Sequence, residues 1–111
     1  MIISCKDQIV AERVLWADTF WKRFIGLMGK KTMEKGEGLL LKNCSSIHCF
    51  FMRFPIDAVY LSEDLTVLGM ESLKPWSLGS RVKKTRHTLE LASGSVDTNI
   101  IGEKLEMTED I

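Results

Sequence analysis

The sequence predicts a mainly β fold: an antiparallel barrel-like or sandwich sheet of seven to nine strands with one short helix at about residues 19–28. Short apolar runs recur along the chain and are separated by turn residues, as in successive strands. Apolar residues at helical spacing occur in one stretch only, after Trp16. The chain has 111 residues, enough for one core, so we expect a single domain over residues 1–111.

The N-terminal part should form a hairpin followed by the helix. Ile2–Cys5 and Gln8–Leu15 read as strands joined by a tight turn at Lys6-Asp7. The helix is predicted from a surface of apolar residues at helical spacing, and Gly29 is well placed to end it.

The remainder of the chain should be strands and loops. The predicted strands are Gly38–Lys42, Ile47–Met52, Ile56–Ser62, Thr66–Glu71, His87–Leu91 and Ile101–Met107. A turn at Ser62-Glu63-Asp64 closes a hairpin, and short connections between residues 47 and 71 predict an antiparallel meander. Residues 74–84 and 92–100 are predicted loops.

Composition restricts the class of protein. Hydrophobic residues make up 45% and charged residues 27% of the chain, which is typical of globular domains. Fifteen basic and fifteen acidic residues give no net charge, which argues against nucleic acid or an anionic membrane as a partner. The chain shows neither a signal-peptide pattern nor a long uncharged apolar segment, so we expect a cytoplasmic location and no membrane segment.

The three cysteines do not predict a disulfide framework. Cys5, Cys44 and Cys49 are an odd number, so free and mostly buried thiols are expected. A zinc site formed by Cys44, His48 and Cys49 is the alternative. Adjacent residues on a strand face opposite sides, however, and structural zinc normally takes four converging ligands. We therefore expect no metal and no cofactor.

Chemistry-bearing residues are concentrated between Ser46 and Asp57. On the predicted strand His48 and Met52 share a face, and the next strand, which begins near Asp57, should bring that carboxylate close to Met52. Trp76 lies in the long connection that follows. Glu90 should face away from Leu89 and Leu91, toward solvent or the mouth of a cavity.

Four motifs resemble those of the small family known as domain of unknown function 192. They are Arg23-Phe-Ile-Gly-Leu-Met-Gly29, Gly36-Glu-Gly-Leu39, Ser46-Ile-His-Cys-Phe-Phe-Met-Arg-Phe-Pro-Ile-Asp57 and Leu89-Glu-Leu-Ala-Ser-Gly94. The resemblance implies a compact, mostly β domain with one short helix and assigns no activity. It also marks Arg23 and Glu90 as motif positions. His48 departs from the family, where tryptophan is frequent, and Glu103 stands where relatives often carry aspartate.

Three functions follow as hypotheses. The first is a non-enzymatic module that binds a small ligand or a protein partner, with a pocket formed by Arg23, His48, Met52, Asp57, Glu90 and Trp76. The second is a small hydrolase-type acid–base enzyme using Asp57 and Glu90 as a carboxylate pair assisted by His48. The third is a weak nucleic-acid binder that uses the basic run of Arg81, Lys83, Lys84 and Arg86. The sequence lacks the recognised catalytic motifs, which favours the first.

Overall fold

The computed structural model describes residues 1–19, 22 and 26–109, and it confirms a mainly β domain. These residues form two sheets and a 3-10 turn at Thr98–Ile100. The strands are β1 (Ile2–Cys5), β2 (Gln8–Ala11), β3 (Arg13–Ala17), β4 (Glu37–Leu41), β5 (Ile56–Leu61), β6 (Val67–Leu73), β7 (His87–Ala92) and β8 (Glu106–Thr108).

The two sheets remain separate, in a sandwich-like arrangement. One sheet has the strand order β2-β1-β8 and the other has the order β3-β4-β7-β5-β6. All pairs are antiparallel except β3 with β4, which run parallel. Parallel neighbours require a long crossover connection, and residues 18–36 supply it.

The predicted helix at about residues 19–28 falls in this crossover. Residues 20, 21 and 23–25 lie outside the described part of the chain. One of them is Arg23, a predicted site residue. In the part that is described, Lys22 is helical, and its carbonyl accepts a hydrogen bond from the Gly26 N–H at 2.9 Å, the spacing of an α-helix. Residues 26–28 form turns, and Gly26 has a φ of 48°, so the predicted helix does not extend to residue 28. The Thr19 hydroxyl accepts the Lys22 N–H at 3.2 Å.

The central strands β4, β5 and β7 of the five-stranded sheet are buried on both faces, which explains why apolar residues predominate in them. All six residues of β5 are buried. On one face Val59 and Leu61 pack in the core between the two sheets. On the other face Ala58 and Tyr60 pack beneath two irregular segments. We call these two segments, residues 43–55 and 74–86, the cap.

Part of the predicted strand set is wrong. Ile47–Met52 forms no strand, and only His48 makes an isolated bridge, to Leu78. Phe51 has a φ of 62°, which is incompatible with extended backbone. The predicted meander therefore lacks its first strand, and the second neighbour of β5 is β7.

Other differences concern strand ends. Gln8–Leu15 is broken at Glu12, because the N–H groups of Glu12 and Arg13 both donate to the Gly36 carbonyl, at 2.9 and 2.8 Å. The chain passes there from one sheet to the other. The last predicted strand is reduced to β8, because residues 101–105 contain a turn and only an isolated bridge, from Lys104 to Thr66. The Lys6-Asp7 hairpin is confirmed, with positive φ at both residues, and so is the hairpin between β5 and β6.

Candidate functional site

The two segments of the cap are joined by backbone hydrogen bonds. The Cys49 N–H donates to the Ser77 carbonyl at 2.8 Å, and the Cys49 carbonyl accepts the Trp76 N–H at 2.7 Å. The Gly79 N–H donates to the Ile47 carbonyl at 3.0 Å. These bonds join the two loops in one layer over the face of the five-stranded sheet that carries Ala58 and Tyr60.

The inner side of this layer is apolar core. Ile47, Cys49 and Met52 are buried and pack against β5. Burial, with a smaller contribution from a negative charge on nearby Glu90, raises the pKa of the Cys49 thiol to about 11. Cys49 is therefore not a thiolate nucleophile near neutral pH. Met52, a predicted site residue, lies beneath the surface and not on it.

The outer side of the layer carries exposed aromatic rings. Phe51 and Trp76 are 58% and 60% exposed, with ring centroids 4.7 Å apart. Phe50 lies 6.0 Å from Trp76 and 5.1 Å from His48, distances typical of interacting rings. We call His48, Phe50, Phe51 and Trp76 the aromatic platform.

The two most exposed rings of the platform stand on strained backbone. Phe51 and Trp76 have φ values of 62° and 66°, in the left-handed region. That conformation costs an L-residue other than glycine roughly 1–2 kcal/mol. Neither side chain offsets this cost by deep burial. The other non-glycine residues with positive φ in the described part of the chain are not aromatic: Lys6, Asp7, Asn43, Leu65 and Lys84.

The structure unites some predicted site residues and separates others. His48 and Trp76 share the platform. Phe51 was not predicted. Strand alternation would have placed it on the face opposite Phe50, whereas both rings are exposed, because the segment is irregular and Phe51 has a positive φ. Arg23 lies outside the described residues, so its place in the predicted pocket stays a prediction.

Asp57 and Glu90 do not form a carboxylate pair. Asp57 is opposite Leu91 in the register of β5 with β7, and Glu90 is opposite Ala58. Because successive residues of a strand alternate between faces, the two carboxyl groups lie on opposite faces of the sheet. The acid–base arrangement predicted for the hydrolase hypothesis is therefore absent.

Each carboxyl group has its own surroundings. Asp57 is 1% exposed, and it accepts hydrogen bonds from the Ser72 hydroxyl and the Gly94 N–H, both at 2.9 Å. Glu90 is 2% exposed on the face covered by the cap, and burial raises its pKa to about 8. At neutral pH Glu90 is thus largely uncharged.

A third carboxylate, which sequence reasoning missed, fastens the cap to the sheet. Glu71 on β6 accepts hydrogen bonds from the Tyr60 hydroxyl, the Ser80 N–H and the Ser80 hydroxyl. Burial opposes its ionisation, but these bonds outweigh that effect and hold the pKa of Glu71 below its ordinary value. Burial also raises the pKa of Tyr60, so its hydroxyl stays a donor.

The described residues contain no group of three or more histidine, cysteine or acidic side chains placed to hold a metal ion. No helix in the described part of the chain is long and apolar enough to cross a membrane.

Gly79 lies in a part of the cap that leaves no room for a side chain. A Cβ placed there would lie 2.7 Å from both Ile47 Cγ1 and the Tyr60 hydroxyl, closer than real Cβ contacts. We expect Gly79→Ala to lower the free energy of unfolding by roughly 1–3 kcal/mol through overpacking, measured by denaturant unfolding. Gly69→Ala is the control, because its Cβ would meet Val82 at an ordinary 3.7 Å. Equal stability of the two variants would contradict the tight approach.

Comparisons with known proteins identify relatives along the whole chain. A UPF0127 protein of Pyrococcus furiosus is 29% identical over 111 residues, covering 96% of this chain and 96% of the relative. One from Thermococcus sibiricus is 30% identical over 101 residues, covering 87% of this chain. One from Thermococcus kodakarensis is 33% identical over 90 residues, covering 78% of this chain. The chain spans 66% and 57% of the lengths of the two Thermococcus proteins.

Two solved structures share the fold. A protein of unknown function from Novosphingobium aromaticivorans superposes with a TM-score of 0.79 at 17% identity, over 96% of this chain and 82% of that one. A protein from Sinorhizobium meliloti described as a putative transcription regulator gives 0.69 at 22% identity, over 84% and 79%. At these identities the likeness concerns the fold.

The family resemblance seen in the sequence motifs is confirmed by a family model. The model is described as DUF192, Uncharacterized ACR, and it matches residues 1–107. This chain therefore belongs to the DUF192 family of uncharacterised proteins.

Proposed function

We propose that the protein is a non-enzymatic binding module whose contact surface is the aromatic platform. The observation that carries the proposal is the pair Phe51 and Trp76, two exposed aromatic side chains on left-handed backbone. A fold under selection for stability alone would place glycine or asparagine at such positions. Aromatic residues at positions 51 and 76 lower the stability of the fold and expose two rings to solvent.

The support beneath the platform favours recognition over chemistry. Backbone bonds from Cys49 to Trp76 and Ser77 hold the loops in place, and Glu71 anchors Ser80 behind them. Rigid aromatic side chains provide a large contact area and lose little conformational entropy on binding. His48 contributes a further ring at the edge of the platform.

The enzyme hypothesis receives less support from the same geometry. Its two carboxylates lie on opposite faces of the sheet, and Cys49 is a buried thiol with a raised pKa. A catalytic site would have to use other residues. Binding requires only an exposed contact surface, which the aromatic platform provides.

If the backbone strain at Phe51 and Trp76 serves binding, a substitution that relieves the strain should raise the stability of the protein and weaken its binding. Asparagine tolerates the left-handed conformation, so we expect Phe51→Asn and Trp76→Asn each to raise the free energy of unfolding by roughly 1 kcal/mol. Denaturant unfolding measures this change. The control is Leu15→Asn, which also removes an exposed apolar side chain, 70% exposed, but from extended backbone on β3, and should not stabilise.

Binding is tested with thermal shifts of the same proteins across nucleotides, sugars, amino acids and short oligonucleotides. A ligand at 100 times its Kd stabilises by about 2.7 kcal/mol, which for a domain near this size raises the Tm by roughly ten degrees. We expect that shift to be lost in Trp76→Asn and kept in Leu15→Asn. A ligand that stabilises Trp76→Asn as much as the parent would show that the platform is not the binding surface.

A further inference from the structure

The cap is positively charged, although the whole chain has no net charge. Its two segments, residues 43–55 and 74–86, contain none of the fifteen acidic residues of the chain. They contain six of the fifteen basic residues: Arg53, Lys74, Arg81, Lys83, Lys84 and Arg86. All six are exposed, and none joins an ion pair among the described residues. The remainder of the chain is correspondingly acidic.

The fold places these cations and the aromatic platform on one continuous layer. Near one end of the cap, Arg86 donates from Nε to the Asn43 side-chain oxygen at 2.8 Å, which joins the two segments there. Near the other end, Cys49 and Trp76 join them again. Trp76 is five residues from Arg81, so their Cα atoms are at most about 18 Å apart. Arg53 and Lys74 lie within two residues of the platform in sequence.

We infer that the cap binds single-stranded nucleic acid, with bases stacked on Phe51 and Trp76 and phosphates held by the surrounding lysine and arginine side chains. This inference rests on the proposed binding role of the platform. Exposed rings beside cations match the two parts of a single strand, whose base faces are open and whose backbone is anionic. In a duplex the base faces are already stacked, so the rings would have nothing to contact.

The absence of carboxylates is what selects this ligand among others. An uncharged peptide or sugar could contact the rings, but its binding would not require a surface without acidic residues. None of the fifteen acidic residues falls in the cap's two segments. An anionic membrane uses the cations and offers no reason for strained rings. With no net charge on the whole protein, we expect binding that is clear at low salt and weak at physiological salt.

Fluorescence anisotropy with labelled oligonucleotides of about a dozen nucleotides tests the inference. Single-stranded RNA and DNA are compared with a duplex of the same sequence, with a mononucleotide competitor and with phosphatidylserine vesicles, all at low salt. We expect single strands to bind better than the duplex, and a tie between RNA and DNA is compatible with stacking. Trp76→Ala should weaken binding about tenfold, since each stacked base is worth about 1–3 kcal/mol. Leu15→Ala should not.

Two double variants, one in the cap and one outside it, test how much the lysine charges of the cap contribute to oligonucleotide binding. Lys83→Gln with Lys84→Gln should weaken binding and flatten the slope of log Kd against log salt by about 1.4. Lys31→Gln with Lys35→Gln, which removes two exposed lysines outside the cap, should change neither.

The overturning results are distinct. No binding of single strands at low salt, a mononucleotide that competes as well as the oligonucleotide, or vesicle binding alone would each overturn the inference. Equal affinity for duplex and single strand with no effect of Trp76→Ala would also overturn it, because general attraction between charges would then explain the binding. If single strands fail while another ligand is lost in Trp76→Asn, the nucleic-acid inference falls and the proposed binding role stands.

Discussion

Replacing Glu90 with glutamine should make the protein more stable at alkaline pH, by on the order of 4 kcal/mol near pH 9, and should change little near pH 4. Glu90 is 2% exposed, and burial raises its pKa from 4.5 to about 8. Below pH 4.5 the group is neutral in both the folded and the unfolded chain. As the pH rises toward 8, the unfolded chain ionises first and stability falls by about 1.4 kcal/mol per pH unit. Glutamine stays neutral, so this loss disappears.

The measurement is the difference in free energy of unfolding between Glu90→Gln and the parent at a series of pH values. Glu71→Gln is a control on the same face of the sheet. The pKa of Glu71 is held below its ordinary value, so its stabilising contribution is present above pH 4.5 and is lost as the pH falls. The two variants should therefore change stability with opposite signs above pH 4.5. A flat difference for Glu90→Gln would show that the Glu90 carboxylate is stabilised in the fold, for instance by a cation.

The Glu90 result also bears on function. In the sequence this residue reads as a polar side chain facing solvent or a cavity mouth. The structure places it in an apolar layer under the cap, where a neutral carboxyl is favoured. If its pKa is near 8, Glu90 does not serve as an anionic ligand contact at neutral pH.

The sequence predicts the parts of the fold that depend on interactions between residues close together in the chain, such as hairpins. Turn residues at Lys6-Asp7 and after Leu61 gave both hairpins, and apolar runs gave β5 and β7. The segment from Ile47 to Met52 has strong strand propensity, yet its backbone bonds to residues 76–79 of a distant loop. Strand propensity reflects side-chain fit, and tertiary contacts override it here.

The candidate site depended on non-local information. The opposite orientation of Asp57 and Glu90 follows from the register between β5 and β7, which are separated by β6 and the long loop. Trp76 and His48 were identifiable as residue types, but their shared surface required the pairing of residues 47–49 with 76–79. The basic residues of the cap are visible in the sequence, whereas their proximity to exposed rings is not.

Asp57→Ala should lower the free energy of unfolding by roughly 2–3 kcal/mol. The Asp57 carboxylate accepts the Ser72 hydroxyl and the Gly94 N–H, so it ties β5 to β6 and to the turn that follows β7. Hydrogen bonds to charged groups contribute about 1.5–3 kcal/mol, and alanine leaves both donors without this acceptor. Denaturant unfolding measures the loss. Ser72→Ala removes one of the two bonds and should cost less than half as much.

This measurement decides between the two roles of Asp57. The sequence predicts a pocket residue, for which alanine would abolish ligand binding and leave the fold intact. The geometry indicates a structural residue, because both carboxylate oxygens are occupied and the side chain is 1% exposed. A stable Asp57→Ala protein that no longer responds to a ligand bound by the parent would restore the pocket. An unstable variant that keeps the ligand response at low temperature would assign Asp57 to the framework that holds the turn after β7.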